Sequence, residues 1–248
     1  MIRAGVAVFQ PEMAQLLTSS NLLMSARPLA VGVIPDVATL GLWSRMSAAE
    51  RDTACDVIEL RLDTIKLPEA DVRAALADNT TPVLLTARHP AEGGQGSEDA
   101  AGRMALLEPL LDLATLVDVE LRSAMEMRLL VQKAQGRGVR VIGSFHDFQA
   151  TPGDEVLQGA ISFAQPAGLD AVKIATFLNT TEDLVRLIRL ASAPQRLRLS
   201  CMGMGPLGRV SRLVLAKCGS LLNYGFLGEA NAPGQWPAAR LKAILADL

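Results

Sequence analysis

Asp170-Ala171-Val172-Lys173-Ile174-Ala175-Thr176-Phe177 is a run of small and β-branched residues with one lysine at its centre. Such a run, apolar on both faces, is the signature of a strand buried in a parallel sheet. Outward from it the chain alternates in the same way. Toward the N-terminus, Thr151-Pro152-Gly153-Asp154-Glu155 opens a helix to about Ala164, and Val139 to Phe145 is the strand before it. Toward the C-terminus come a helix from Thr180 or Thr181 to Leu190, a strand from Leu197 to Met202, and a helix from about Pro206 to Lys217. Ser220 to Gly225 and a final helix from Pro237 close the series. Upstream, Leu29–Ile34, Val57–Leu62, Pro82–Ala87 and Leu116–Leu121 read as strands. Helices start at Ser47, with Glu50 completing a capping box, at Pro68, at Ser97 and at Ser123.

Eight strand–helix units in 248 residues predict a closed (β/α)₈ barrel, an α/β fold of one domain over residues 1–248. A doubly wound open sheet is the alternative. Ile2 to Gln10 alternates weakly and predicts an N-terminal strand or hairpin ahead of the first barrel strand.

Composition narrows the class. Half the residues are hydrophobic, and the net charge is −2. That gives no global basic excess for nucleic acid. No apolar run reaches the roughly 18 residues that span a bilayer. Cys55, Cys201 and Cys218 are odd in number and lack metal-finger spacing. These features predict a reduced, cytoplasmic protein with no membrane partner. With only His89 and His146, no metal site built on several histidines is available. Of the 24 basic residues five are lysines, leaving 19 arginines, the residue suited to holding carboxylates and phosphates.

In a barrel the chemistry collects where strands end. The second strand ends Glu59-Leu60-Arg61-Leu62-Asp63, three charges at a period of two that predict an inward face. The third ends at Arg88, before the glycine-rich Glu92-Gly93-Gly94-Gln95-Gly96. The fifth ends Ser144-Phe145-His146-Asp147-Phe148, making His146 a candidate general base. Lys173 lies on the next strand. A desolvated lysine can attack a carbonyl and form an imine. The plainer alternative is a lysine at a strand end that reaches water. The seventh strand leads into Gly203-x-Gly205-x-x-Gly208, a dinucleotide-type pattern that a tight strand-to-helix turn also explains, with Ser211 and Arg212 following. The last loop, Asn231-Ala232-Pro233-Gly234-Gln235, brings amides to the same rim.

The set Glu59 to Asp63, Thr86-Ala87-Arg88 with Glu92-Gly93-Gly94, Ser144 to Phe148 with Thr151-Pro152, Val172 to Ala175, Met202 to Arg212, Gly219-Ser220, and Ala232 to Gln235 resembles type I 3-dehydroquinate dehydratase. The resemblance covers most of the chain in the same order. It implies a cofactor-free lyase of the shikimate pathway that dehydrates 3-dehydroquinate to 3-dehydroshikimate through a Lys173 imine. His146 is then the acid and base. Glu59 orients His146 or, with Arg61, binds substrate hydroxyls. Arg212 holds the substrate carboxylate, and Arg88 and Gln235 bind the polar rim of the ring. It also implies a homodimer. The chain departs from the family pattern at Val33, commonly polar, at Asn223, commonly Thr, and at Asn231, commonly Ser; these bear on substrate fit. The alternatives are a Schiff-base aldolase, a dehydratase acting on a related hydroxy-keto acid, and a nucleotide-binding protein using Gly203 to Gly208.

Overall fold

A computed structural model describes residues 19–97, 99–230 and 234–248. The expected strand over Ile2–Gln10, and Asn231, lie outside the described residues. Eight strands follow in sequence: β1 (Leu29–Ile34), β2 (Val57–Arg61), β3 (Val83–Thr86), β4 (Leu116–Glu120), β5 (Arg140–Asp147), β6 (Ala171–Phe177), β7 (Arg198–Met204) and β8 (Leu222–Phe226). All pair in parallel, in the order β7-β6-β5-β4-β3-β2-β1-β8. Helices stand between them, and the fold is the expected (β/α)₈ barrel.

The seam between β7 and β8 is held partly by side chains. Leu221 N–H donates to Leu199 O at 2.9 Å. The Ser200 hydroxyl accepts from Leu222 N, and the Ser220 hydroxyl bridges the N–H and carbonyl of Cys201. Asn223 belongs to this architecture. It is fully buried and its amide donates to the carbonyls of Ser220 and Leu221, away from the cavity. This departure from the family pattern therefore touches the scaffold, not the substrate space.

Strand alternation splits the core in two. Inward residues near the N-terminal ends, including Leu29, Val57, Leu84, Leu116 and Ile142, form an apolar plug inside the barrel. Outward residues such as Ile58, Leu85, Val117, Val141 and Ile174 pack under the helices. Further along β2, β3, β4 and β5, and at Lys173 of β6, the inward positions turn polar, while β1 and β7 stay apolar at Val33, Met202 and Met204, so the open end carries charge on one side of its wall.

Several boundaries differ from the sequence-based expectation. The helix after β4 starts at Arg128, not at Ser123, because Leu121–Ser123 form a 3-10 turn first. The helix after β3 starts at Ala100, not at Ser97, because the Asp99 carboxylate caps Ala101 N at 3.2 Å. β2 stops at Arg61, and Asp63 lies in a short helix, Leu62–Ile65. Glu59 and Arg61 line the cavity as the period of two predicts. Asp63 does not. Its buried carboxylate takes the Arg61 fork at 2.9 Å and the backbone N–H groups of Arg88 and Gln95. It ties the loop after β3 to the end of β2. The Ser47–Glu50 capping box is present as expected.

Candidate active site

A cavity of about 480 Å³ opens at the C-terminal ends of the strands. Lys173, His146, Glu59, Arg61, Arg88, Arg212 and Gln235 all line it, brought there by strands β2, β5 and β6, by the loops after β3 and β8, and, for Arg212, by the helix Gly208–Lys217 after β7. Seven of the eight residues singled out from the sequence thus meet in one place.

Lys173 points inward from the middle of β6 and is 4 % exposed. A buried ammonium needs counter-charge. Its Nζ lies 3.3 Å from Asp118 Oδ2, 3.6 Å from Glu59 Oε1, and 3.9 Å from the centre of the Tyr224 ring. Such a ring face stabilises a cation. Glu59 also accepts from the Thr86 hydroxyl at 2.8 Å.

The guanidinium of Arg88 is consumed from behind. It makes a two-pronged pair with Asp118 at 2.9 and 2.7 Å, and also donates to Glu120 at 3.0 Å and Ser144 Oγ. Burial by itself would lower the Arg88 pKa, but Asp118 and Glu120 outweigh it and raise it. Burial by itself would raise that of Asp118, but Arg88 and Lys173 hold it well below the usual carboxylate range.

His146 lies one residue before the end of β5, and its ring meets Glu92, not Glu59. Nδ1 is 2.9 Å from Glu92 Oε2, which also accepts the His146 backbone N–H at 3.0 Å. The backbone makes this contact. Pro90–Glu92 form one tight turn ended by Gly93 at φ 82°, a left-handed conformation that favours glycine. A side chain on Gly94 would strike the Arg88 carbonyl at 1.9 Å. The glycine-rich stretch therefore folds back and delivers Glu92 into the site. Burial, with Arg88 and Lys173 close by, lowers the His146 pKa well below its ordinary value and keeps the ring neutral. Burial raises Glu92 to about 7. An ionised Glu92 accepts the Nδ1 proton and leaves Nε2 as the basic nitrogen.

Arg212, 2 % exposed, is built differently. Its partners among the described residues are the carbonyls of Tyr224, Gly203, Gly208 and Gly234, at 2.8–3.0 Å. Among the described residues no carboxylate neutralises it, and burial lowers its pKa to about 10. The Gly203-x-Gly205-x-x-Gly208 turn is thus filled by this arginine. A Cβ on Gly203 would strike Leu178 and Ser211, and one on Gly208 would press on Gly234. The glycines serve close packing around a cation, with carbonyls facing it. Ser211 is spent on the same turn, accepting from Gly203 N and donating to Gly208 O. Val33 forms an apolar stretch of wall at the end of β1.

Three contributors were not singled out from the sequence. Asp118 and Glu120 sit in Leu116-Val117-Asp118-Val119-Glu120, whose two charges repeat the period of two seen in β2. Glu92 was quoted only as loop, and no periodicity marks it.

A barrel whose open end gathers a buried lysine, a neutral histidine and an unneutralised arginine defines a class: an enzyme that works on a small anionic carbonyl compound. The family model for type I 3-dehydroquinase matches residues 43–248, and the chain belongs to that family. It is 32 % identical over 200 residues to 3-dehydroquinate dehydratase of Methanothermobacter thermautotrophicus, covering 79 % of this chain and 87 % of that one. It is 30 % identical over 228 residues to the enzyme of Methanococcoides burtonii, covering 90 % and 95 %. Among solved structures it resembles the type I 3-dehydroquinate dehydratase of Clostridium difficile, crystallised with covalently modified comenic acid. There the TM-score is 0.75 at 25 % identity, over 90 % of this chain and 92 % of that one.

Proposed function

We propose that this chain dehydrates 3-dehydroquinate to 3-dehydroshikimate through an imine on Lys173. The observation that carries the chemistry is Lys173, buried between Asp118 and Glu59 on the strand next to His146. The amine attacks the substrate ketone, and loss of water gives an iminium. That electron sink acidifies the adjacent C–H without a metal or cofactor. His146 Nε2 takes the proton, and the electrons left behind expel the neighbouring hydroxyl, which leaves as water with a proton returned from His146. Hydrolysis of the imine frees the product and the lysine.

Glu92 orients His146 and fixes its tautomer. Glu59 faces Lys173 and not the imidazole, so of its two expected roles it keeps the one near the substrate. Arg212 holds the carboxylate, since among the described cations that line the cavity it is the one with no carboxylate partner. Arg61 and Gln235, both on the cavity wall, bind polar groups of the ring. Arg88 contributes mainly by fixing Asp118. Among the described residues no helix is long and apolar enough to cross a membrane. Unpaired, buried Cys55 and Cys201 suit a reducing compartment, and the family kinship supports a cytoplasmic homodimer.

Two measurements test this. With 3-dehydroquinate, product formation is followed by the ultraviolet absorbance of the conjugated enone, and borohydride trapping is read by protein mass. A mass gain on Lys173, absent in Lys173→Ala, is expected. A wild-type protein that turns over without trapping on Lys173 would refute the imine, and two carbon fragments would signal an aldolase.

A further inference from the structure

Behind the cavity wall stands Arg103, wholly buried on the helix Ala100–Leu107 and absent from the cavity lining. It donates to Ser97 O at 3.1 Å and Ser123 Oγ at 2.7 Å, and its Nε is 3.9 Å from Glu120 Oε2. Glu120 in turn takes Arg88 at 3.0 Å and the His89 backbone N–H at 2.9 Å. Arg88 takes Asp118, and Asp118 faces Lys173 at 3.3 Å. Charges therefore alternate without a break from Arg103 through Glu120, Arg88 and Asp118 to Lys173, with Glu59 beyond it.

We infer that Arg103 is a positioning residue for the imine chemistry, acting on Lys173 through Glu120, Arg88 and Asp118. This rests on the lysine reading above. Burying a guanidinium is costly, and an apolar residue of similar volume would fill the same space. What the cation adds is charge balance. Arg88 alone faces two carboxylates. With Arg103 supporting Glu120, the Arg88 fork stays on Asp118 and takes up much of its charge. Without Arg103, the pocket gains a net negative charge, and more of Asp118 falls on Lys173. That favours the ammonium over the free amine that must attack the ketone.

The groups facing Lys173 are Asp118 from β4, Glu59 from β2 and Tyr224 from β8, with His146 from β5 and Arg88 after β3 also near. The added negative charge acts on each of them in the same sense, holding protons more tightly. Arg103 itself touches neither the cavity nor the reacting atoms, so a purely structural role would change stability alone.

The test reads the amine without any substrate. The intact protein is reductively methylated with formaldehyde and cyanoborohydride across a pH series, and labelling of Lys173 is followed by peptide mass. In Arg103→Met the rise of labelling with pH shifts to higher pH, and at neutral pH the rate falls about five-fold, a size typical of network mutations. Arg103→Lys keeps the charge and keeps the wild-type profile, even where it lowers the melting temperature. Glu120→Gln removes a negative charge and shifts the profile to lower pH. Turnover of 3-dehydroquinate by Arg103→Met falls in kcat with little change in KM. If Arg103→Met and Glu120→Gln both leave the labelling profile in place, the inference is overturned. If Arg103→Met does not fold, Glu120→Gln and Arg103→Lys decide it: a shift in the lysine variant, or none in the glutamine variant, overturns it. Failure of the dehydratase reading shows separately, as absence of turnover with the labelling shifts intact.

Discussion

Arg88 and Arg212 are buried arginines at the rim of one barrel, and they are built in opposite ways. Arg88, on the β3–β4–β5 side, is saturated by Asp118 and Glu120. Arg212, on the β7–β8 side, is held by four backbone carbonyls. Both have their hydrogen bonds met, as burial demands. Only one has its charge met. Carbonyl dipoles fix the guanidinium without cancelling it, so Arg212 offers the cavity a positive charge, while Arg88 offers rigidity. The contrast separates a binding cation from a scaffolding cation, which the residue type alone cannot do.

The largest effect expected lies on the lysine that the Arg88 side supports. Lys173→Ala should lower turnover by about 10⁵-fold, the scale of losing a covalent nucleophile, with the circular dichroism spectrum kept. A residual rate within ten-fold of wild type would remove the imine. Next, Arg212→Met should lower kcat/KM by about 10²–10³-fold, chiefly through KM, as for truncating a buried charged partner. If KM stays put, the free charge of Arg212 is not the anion site.

Arg88→Met should act first on stability. It leaves Asp118 and Glu120 facing each other, and breaking such a buried pair costs about 3–5 kcal/mol. Denaturant unfolding checks this. A variant as stable as wild type would erase the distinction between the two arginines.

The smallest effect concerns Glu92, which sits beside Arg88 without pairing to it. Turnover should rise with pH through about 7, because only ionised Glu92 leaves His146 Nε2 basic. Glu92→Gln should lose that limb and slow turnover about ten-fold. The sign for stability is opposite. Folding raises the Glu92 pKa from 4.5 to about 7, so the native state binds its proton more tightly. Stability from this group is present below pH 4.5 and is lost as pH rises to about 7. The loss is at most about 3 kcal/mol. Glu92→Gln should therefore melt several degrees higher than wild type at pH 8. A lower melting temperature there would contradict the burial argument.

Much of this was legible beforehand. Apolar runs at regular spacing gave the barrel, because strands buried on both faces cannot afford polar residues except where a cavity takes them. Lys173 and His146 stood out as ionisable groups in or at the end of such strands. Asp118 and Glu120 carried the same signal and passed unnoticed inside Leu116–Leu121. Asp63 continued a strand period past the strand's real end. Glu92 lay in a loop, where periodicity says nothing.

By itself, then, the sequence determined the eight-fold alternation, the strands that end in charge, and the residues that supply an amine, a base and a cation. The tertiary structure decided who meets whom. Glu92, not Glu59, reaches His146, and Asp118 joins Glu59 on Lys173. Arg88 is neutralised while Arg212 keeps its charge. The carboxylate pairings join groups 30 or more residues apart, set by barrel closure and by two glycines that turn a loop inward. Electrostatic partners are chosen by distance in space, and the order of residues along the chain carries no record of it.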